Sequence, residues 1–354
     1  FNLPSFVINF HHEQITGSAS IDFIKPIDRA INEVYHLTWG EDFYDYLRNI
    51  CDNELILQFG SLRLDITHPK MNDIGPDKFT LSSEYEIKFD ADWILFLSNS
   101  FHLQSEKEQS YFETLGVSLK NLAEVGSYNT ICFLDYVSNY LSENTNKIFI
   151  YRPHPSMIER EKKFSELNNL KKKFPDRFFI IGDLSVNFWI KASSKVLTFH
   201  STCIAEAILN KKQFALIRVR NPNKSDDPEI LNPALRIKNF LEFKKFVDGD
   251  IGKLDYSSIK KYYYIDKEMA SEKMTKFINS LIKSDDESPL KGYSFFQYVF
   301  FFIEFFLKFI ANYLSTKFKF FRKILLKSNR YKINNLAYLS GSDAYSIEDI
   351  NKII

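Results

Sequence analysis

The sequence predicts an α/β fold of two parallel, helix-flanked sheets, and three observations carry that expectation. Short, uninterrupted apolar runs such as ADWILFL (91–97) and KVLTF (195–199) read as strands buried on both faces. These runs alternate with segments of helical periodicity through residues 125–250, the repeated β-α-β pattern of a helix-covered parallel sheet. A chain of 354 residues also exceeds the size at which one core stops growing, so two lobes are expected.

The elements follow in order. The run FVINF (6–10) is a short buried strand, ending in the polar cluster His11, His12, Glu13 and Gln14. A helix is expected at 42–49, where Phe43, Tyr46 and Leu47 share a face, and then a strand at 55–59 closed by Gly60 and Ser61. The strand 91–97 breaks at Ser98, Asn99 and Ser100, and a helix at 127–141 leads into a strand at 147–151, which the loop Arg152-Pro153-His154-Pro155 stops. A charged helix at 159–174 precedes strand 178–181, helix 186–192, strand 195–199, helix 202–209 and strand 214–217. The expected organisation is a Rossmann-like domain over 1–120, a second over 121–285, amphipathic helices over 286–330 and a tail over 331–354.

Composition narrows the function classes. A formal net charge of +1 offers no global field for nucleic acid, so none is expected as a partner. Cys51, Cys132 and Cys203 lack the CxxC spacing of a structural zinc site and the even count of a disulfide framework, which fits a reducing compartment. No GxGxxG fingerprint occurs and only 11 residues are Gly, so phosphate recognition must come from Ser, Thr, His and Arg side chains and from helix N-termini. No HExxH motif is present, and the acidic pairs at 226–227, 248–250 and 285–286 sit in polar loops, so no metal is expected.

The segment 293–314 is long and greasy, with Gln297, Glu304, Lys308 and Asn312 falling within a sector of roughly 80° at helical spacing. Ser315, Lys319, Arg322 and Lys323 extend that polar stripe into a basic run. Such a helix is expected to lie in the interface of an anionic membrane; burial against the domains or another protomer is the alternative.

Two motifs carry candidate chemistry. His154, at the carboxyl end of a parallel strand, can donate to a phosphate oxygen or leaving group, and Arg152 can pair with an anion, while Pro155 stiffens the loop. The run Phe199-His200-Ser201-Thr202-Cys203-Ile204-Ala205-Glu206 delivers hydroxyls to a helix start, with Glu206 one turn inside, placed to favour the helix dipole or to accept ribose hydroxyls. Ser98 and His200 are counted with the nucleotide-sugar-binding residues. Simple capping by Ser201 or Thr202 remains the alternative.

An HP dipeptide followed by a Ser-Thr pair at a helix start resembles the GT-B capsule polysaccharide enzymes, including bacterial sialyltransferases and Kdo transferases that use CMP-activated sugars. The wider set of HHEQ, WGEDFYDYL, FGSLRLD, YRPHP and FHSTCIAEA resembles the bacterial surface carbohydrate biosynthesis group, over about residues 6–250. The resemblance implies two Rossmann-like domains facing across a cleft, with His154, Ser201 and Thr202 contacting the nucleotide. One departure stands out: the acidic pair followed by Gly that supplies the base in such sialyltransferases has no clean copy in the first domain. Glu13 is the best substitute, with His11 and His12 as rivals and Asp65 as second candidate. His12, Arg63 and Asp65 are assigned to the acceptor or cleft, although Arg63 and Asp65 can equally pair and hold the cleft wall.

The expected function is an inverting, metal-independent glycosyltransferase. It moves a sugar from a nucleotide donor, a CMP-activated ulosonic acid, to a surface polysaccharide or lipid-linked glycan, and works in the cytoplasm, peripheral to the inner face of a bacterial plasma membrane. It needs no cofactor beyond its donor substrate. The alternative is a CDP-polyol phosphotransferase of the teichoic-acid-polymerase type; a third class is a non-catalytic assembly subunit.

Overall fold

The computed structural model describes residues 8–10, 14, 15, 34–99, 120–143 and 146–283. The described elements all belong to one compact unit, residues 1–104 with 120–286. Residues 105–119 with 287–354 make up a second unit, which lies outside the described residues. The expected amphipathic helices at 286–330 and the tail at 331–354 therefore fall outside them, as do His11, His12 and Glu13.

Two parallel sheets organise the unit. The smaller contains β1 (Ile8–Phe10), β2 (Tyr35–Thr38) and β3 (Ile56–Gln58) in that order. Helix α1 (Glu41–Arg48) follows β2 and seats Phe43 and Leu47, one turn apart, in a cluster with Ile56 of β3. Gln14 brackets the end of β2: its Nε2 donates to the Leu37 carbonyl at 3.0 Å, and its Oε1 accepts from Trp39 N at 2.6 Å. This member of the polar cluster is thus structural. A 3-10 segment, Leu62–Thr67, leaves the small sheet, and α2 (Lys78–Glu84) begins at Asp77, whose carboxylate accepts from Thr80 N at 2.8 Å.

The larger sheet comprises β4 (Asp92–Leu97), β5 (Lys147–Arg152), β6 (Phe178–Ile180), β7 (Lys195–Thr198), β8 (Gln213–Ile217) and β9 (Leu235–Ile237), in the order β6-β5-β4-β7-β8-β9. The helices that accompany it are α3 (Lys120–Glu143), α4 (Ile158–Glu161), α5 (Ser165–Lys173), α6 (Val186–Ala192), α7 (Ile204–Leu209) and α8 (Phe240–Asp248), and α9 (Ala270–Lys283) follows them in the chain. Strand order runs outward from β4 in one direction and from β7 in the other. The chain reverses between them, and that reversal is the topological switch point of a doubly wound sheet.

The alternation of buried side chains explains why these strands read as continuous apolar runs. Trp93, Leu95, Leu97, Ile148, Ile150, Val196, Phe214 and Leu216 pack on one face. Their neighbours Ile94, Phe96, Phe149, Tyr151, Leu197, Ala215 and Ile217 pack on the other. Helix α3 covers this second face with Phe133, Val137, Tyr140 and Leu141, at helical spacing, and Phe133 stacks on Phe96 with ring centroids 3.9 Å apart. Gly126 in α3 permits a close approach, since a Cβ there would lie 3.2 Å from the Phe199 ring.

Two expectations change. Strand 92–97, assigned to the first domain by the boundary at 120, is central to the larger sheet, paired with both β5 and β7. That lobe therefore begins before residue 92, and the first lobe is completed from the far end of the chain by α9. The single charged helix at 159–174 is two helices, α4 and α5, broken at residues 162–164 where the Glu161 side chain turns into the core. Among the described residues, no helix is long and apolar enough to cross a membrane.

Candidate functional site

All strands of the larger sheet are parallel, so the exits of β5, β4, β7 and β8 line one edge in that spatial order. Arg152 and Thr198 both pair in register with Leu97, which sets the His154 and Ser201 loops two strand spacings apart at their roots, about 10 Å. The β4/β7 switch point lies between them. A cavity of about 840 Å³ occupies the opposite, amino edge and is lined by Lys88, Asp92, Lys147 and Arg177, among others; it includes none of the candidate residues.

The predicted residues divide into groups by what they touch. Arg152 is buried beneath the edge, with Nη1 donating to the Asp183 carbonyl at 2.6 Å and Nη2 to the Leu184 carbonyl. Leu184 has a positive φ of 62°, so the guanidinium braces a turn that an L-residue adopts reluctantly. Two of its donors thus brace the β6–α6 turn. His154 sits half-buried above it, and its carbonyl accepts from Met157 N at 2.8 Å in the short turn that Pro155 opens. Burial lowers the His154 pKa, which favours a neutral imidazole, able to donate from one nitrogen and accept at the other.

Ser98 does not face the edge as an open hydroxyl. It is buried and donates to Glu161, whose carboxyl is wholly buried and also hydrogen-bonds to the buried Tyr151. Burial raises Glu161 to about 8, so it is mostly protonated at neutral pH. The Ser98–Glu161–Tyr151 group joins the β4 exit, β5 and α4 directly below the His154 loop. Sequence reasoning missed Glu161 because the run around it is charged and reads as a solvated helix.

The Ser201 loop is also reshaped. The helix expected from 202 starts at Ile204, has six residues and shows no side-chain cap at Cys203. Ser201 Oγ instead accepts from Cys203 N at 3.2 Å, a local hydroxyl turn, which leaves Ser201 and Thr202 half-buried in the loop rather than capping a long helix. Burial pushes the Cys203 thiol up to about 12, which removes it from nucleophilic chemistry. His200 falls to about 4 through burial and the adjacent Arg218 guanidinium, so its ring is neutral.

Glu206 is fully buried, and Arg63 Nε from the first lobe lies 3.0 Å from its Oε1. Burial raises the Glu206 pKa and the Arg63 charge opposes the rise. Arg63 also donates to Tyr263 Oη at 3.1 Å and lies 5.7 Å from the Trp39 ring, so this partly exposed guanidinium is one of the contacts between the two lobes. Asp65 is not its partner. Both Asp65 oxygens accept backbone N–H groups of α9, from Ala270 and from Ser271, each at 2.8 Å. This candidate base therefore caps the helix that closes the first lobe.

Arg218, one residue past β8, is a further group the sequence reading passed over. It is 0% exposed, donates to Asp227 at 2.6 Å and stacks 4.6 Å from the Phe199 ring. An arginine directly after the apolar run FALI is the signal that marks it. Among the described residues, no group of three or more His, Cys, Asp or Glu side chains is placed to hold a metal ion.

No family model matches the chain, and no curated protein matches it. Solved structures do. The wall teichoic acid polymerase TagF aligns with a TM-score of 0.53 at 14% identity, over 79% of this chain and 68% of that one. The Methanocaldococcus jannaschii UDP-GlcNAc 2-epimerase in complex with UDP-GlcNAc and UDP aligns at 0.41 and 17% identity, over 70% of this chain and 61% of that one. The S. aureus MnaA–UDP structure aligns at 0.40 and 17% identity, over 72% of this chain and 62% of that one. This chain therefore spans about three fifths of the length of those last two. The polymerase alignment and the two parallel, helix-flanked sheets identify the architecture: the chain has the two-domain α/β fold called GT-B.

Proposed function

We propose that this protein is a glycosyltransferase that takes a sugar from a nucleotide donor, a CMP-linked ulosonic acid, and passes it to a surface polysaccharide or lipid-linked glycan. The observation that carries the reading is the convergence of the His154 and Ser201–Thr202 loops on either side of the β4/β7 switch point, the position where doubly wound sheets bind nucleotides. In this reading the neutral imidazole of His154 donates to the phosphate as negative charge develops on the leaving nucleotide, and the hydroxyls of Ser201 and Thr202 hold the phosphate oxygens. Glu206 is assigned to the ribose hydroxyls, and the Arg63 charge opposes the rise that burial causes in its pKa. Glu13 takes the acceptor proton from the other lobe, as inverting transfer requires. The segment 286–330 holds the protein against the membrane that carries the acceptor.

A second reading is favoured by the fold likeness to the teichoic acid polymerase: a phosphotransferase acting on a CDP-polyol. One thermal-shift panel separates them. A rise in Tm with CMP-sialic acid or CMP-Kdo and none with CDP-glycerol supports the glycosyltransferase, the reverse supports the phosphotransferase, and a response to neither removes both.

A further inference from the structure

We propose that Arg218 forms a second anion-recognition element at the β8 exit, in which the Asp227 carboxylate occupies the place of a ligand's phosphate or carboxylate oxygens until the ligand displaces it. The inference rests on the donor-site reading above and adds the group that receives the donor's charged part.

The first observation is a deficit. The Arg218 side chain is 0% exposed, and while Nη2 donates to Asp227, neither Nε nor Nη1 has a hydrogen-bond partner. A buried guanidinium presents five donors, and leaving charged donors unmade in a dry interior is costly enough that such groups are uncommon without a functional reason. The second observation is a charge imbalance. Asp227 Oδ1 is 2.6 Å from Arg218 and its Oδ2 is 3.5 Å from Arg236 Nη2, so one carboxylate serves two guanidinium groups. The adjacent His200 ring is neutral and supplies nothing to offset the surplus positive charge.

The third observation is mechanical. Arg218 N donates to the Ile237 carbonyl at 2.8 Å, which fixes the backbone beneath the guanidinium. Two residues on, Asn129 grips Arg220 at both ends, with Nδ2 donating to its carbonyl at 2.9 Å and Oδ1 accepting from its N–H at 3.1 Å. The chain that carries Asp227 is different, because Asn221, Asn223, Lys224 and Ser225 are exposed. An anchored cation thus lies under a solvent-side cover whose carboxylate mimics an anionic ligand. The position also fits, since β8 neighbours β7, whose exit carries Phe199, His200 and Ser201 to the same edge.

A displaceable carboxylate gives the two partners opposite signs. Isothermal titration of the full chain with CMP, cytidine and inorganic phosphate is the test, on wild type, Arg218→Met and Asp227→Asn. Arg218→Met should weaken CMP and phosphate binding by roughly tenfold or more, and Asp227→Asn should tighten it by about fivefold, with cytidine unchanged in both. Adding N-acetylneuraminate and its methyl ester distinguishes the sources: opposite signs with the free acid and none with CMP assign the site to the sugar carboxylate. Losses in both variants, or no change in either, with all these probes overturn the proposal. If Arg218→Met fails to fold, Asp227→Asn alone decides, and unchanged or weaker binding of every anion overturns it. Nucleotide binding without the opposite signs removes this inference and leaves the donor reading standing; anion binding with those signs but no nucleotide binding does the reverse.

Discussion

Replacing Glu161 by Gln isolates the energetic role of the buried carboxyl under the His154 loop. Glutamine keeps the shape and the acceptor for Ser98 but does not ionise. The wild-type carboxyl titrates near 8 when folded, against 4.5 for the free group, because burial disfavours its charge. A folded-state pKa raised in this way contributes stability that is fully present below the unfolded value and is lost as pH rises through the folded one. At about 1.4 kcal/mol per pH unit across that window, the loss is bounded at roughly 5 kcal/mol. For a domain of this size a kcal/mol is worth about 2–4 °C, so the Tm of Glu161→Gln relative to wild type should climb by on the order of 10 °C between about pH 5 and pH 8, then level off. Scanning calorimetry of both proteins across that range measures it. A Tm difference that stays flat with pH would refute the reasoning, because the carboxyl would then be ionised in the folded state or open to water.

Three further outcomes follow from the same geometry. His154→Ala should lower turnover by roughly a hundredfold in a donor-transfer assay through lost stabilisation of the leaving nucleotide, and an unchanged rate rules that role out. Because burial lowers the His154 pKa, the imidazole stays neutral above its ordinary value of 6.5, so CMP affinity should be flat from about pH 7 to pH 8.5; a steady fall over that range would mean that imidazolium is the binding form. Asp65→Ala should cost about 1–2 kcal/mol in urea unfolding by stripping the N-terminus of α9, and a loss of activity without a loss of stability would return Asp65 to the list of catalytic bases.

The parts of the fold that were legible in the sequence are those set by local periodicity. Strands β4, β5, β7 and β8 are buried on both faces and so appear as unbroken apolar runs, while α1 shows a clear apolar face. The roles of polar residues were not legible, because their partners are distant in sequence. Asp65 caps a helix 205 residues downstream, and Arg63 meets Glu206 from the other lobe. Glu161 and Asp227 stood in charged stretches that read as solvated, yet each is turned inward to a partner. The position of the HP and Ser-Thr loops on one edge was legible, since parallel strands must exit together. The break at residues 162–164 was not, as neither Gly nor Pro marks it.

The central place of β4 has a consequence for how the chain is made. It emerges from the ribosome before either of its neighbours, and its flanking strands β5 and β7 begin at Lys147 and Lys195. Until both arrive, two greasy faces and two rows of amide groups stay open to water, a state that invites non-native association and calls for chaperones. Nascent chains arrested between residues 150 and 190 should therefore be retained by such holdases, whereas chains extended past 250 should be released. Synthesis rate through that interval, rather than the stability of the finished protein, would then set how much folded product a cell recovers.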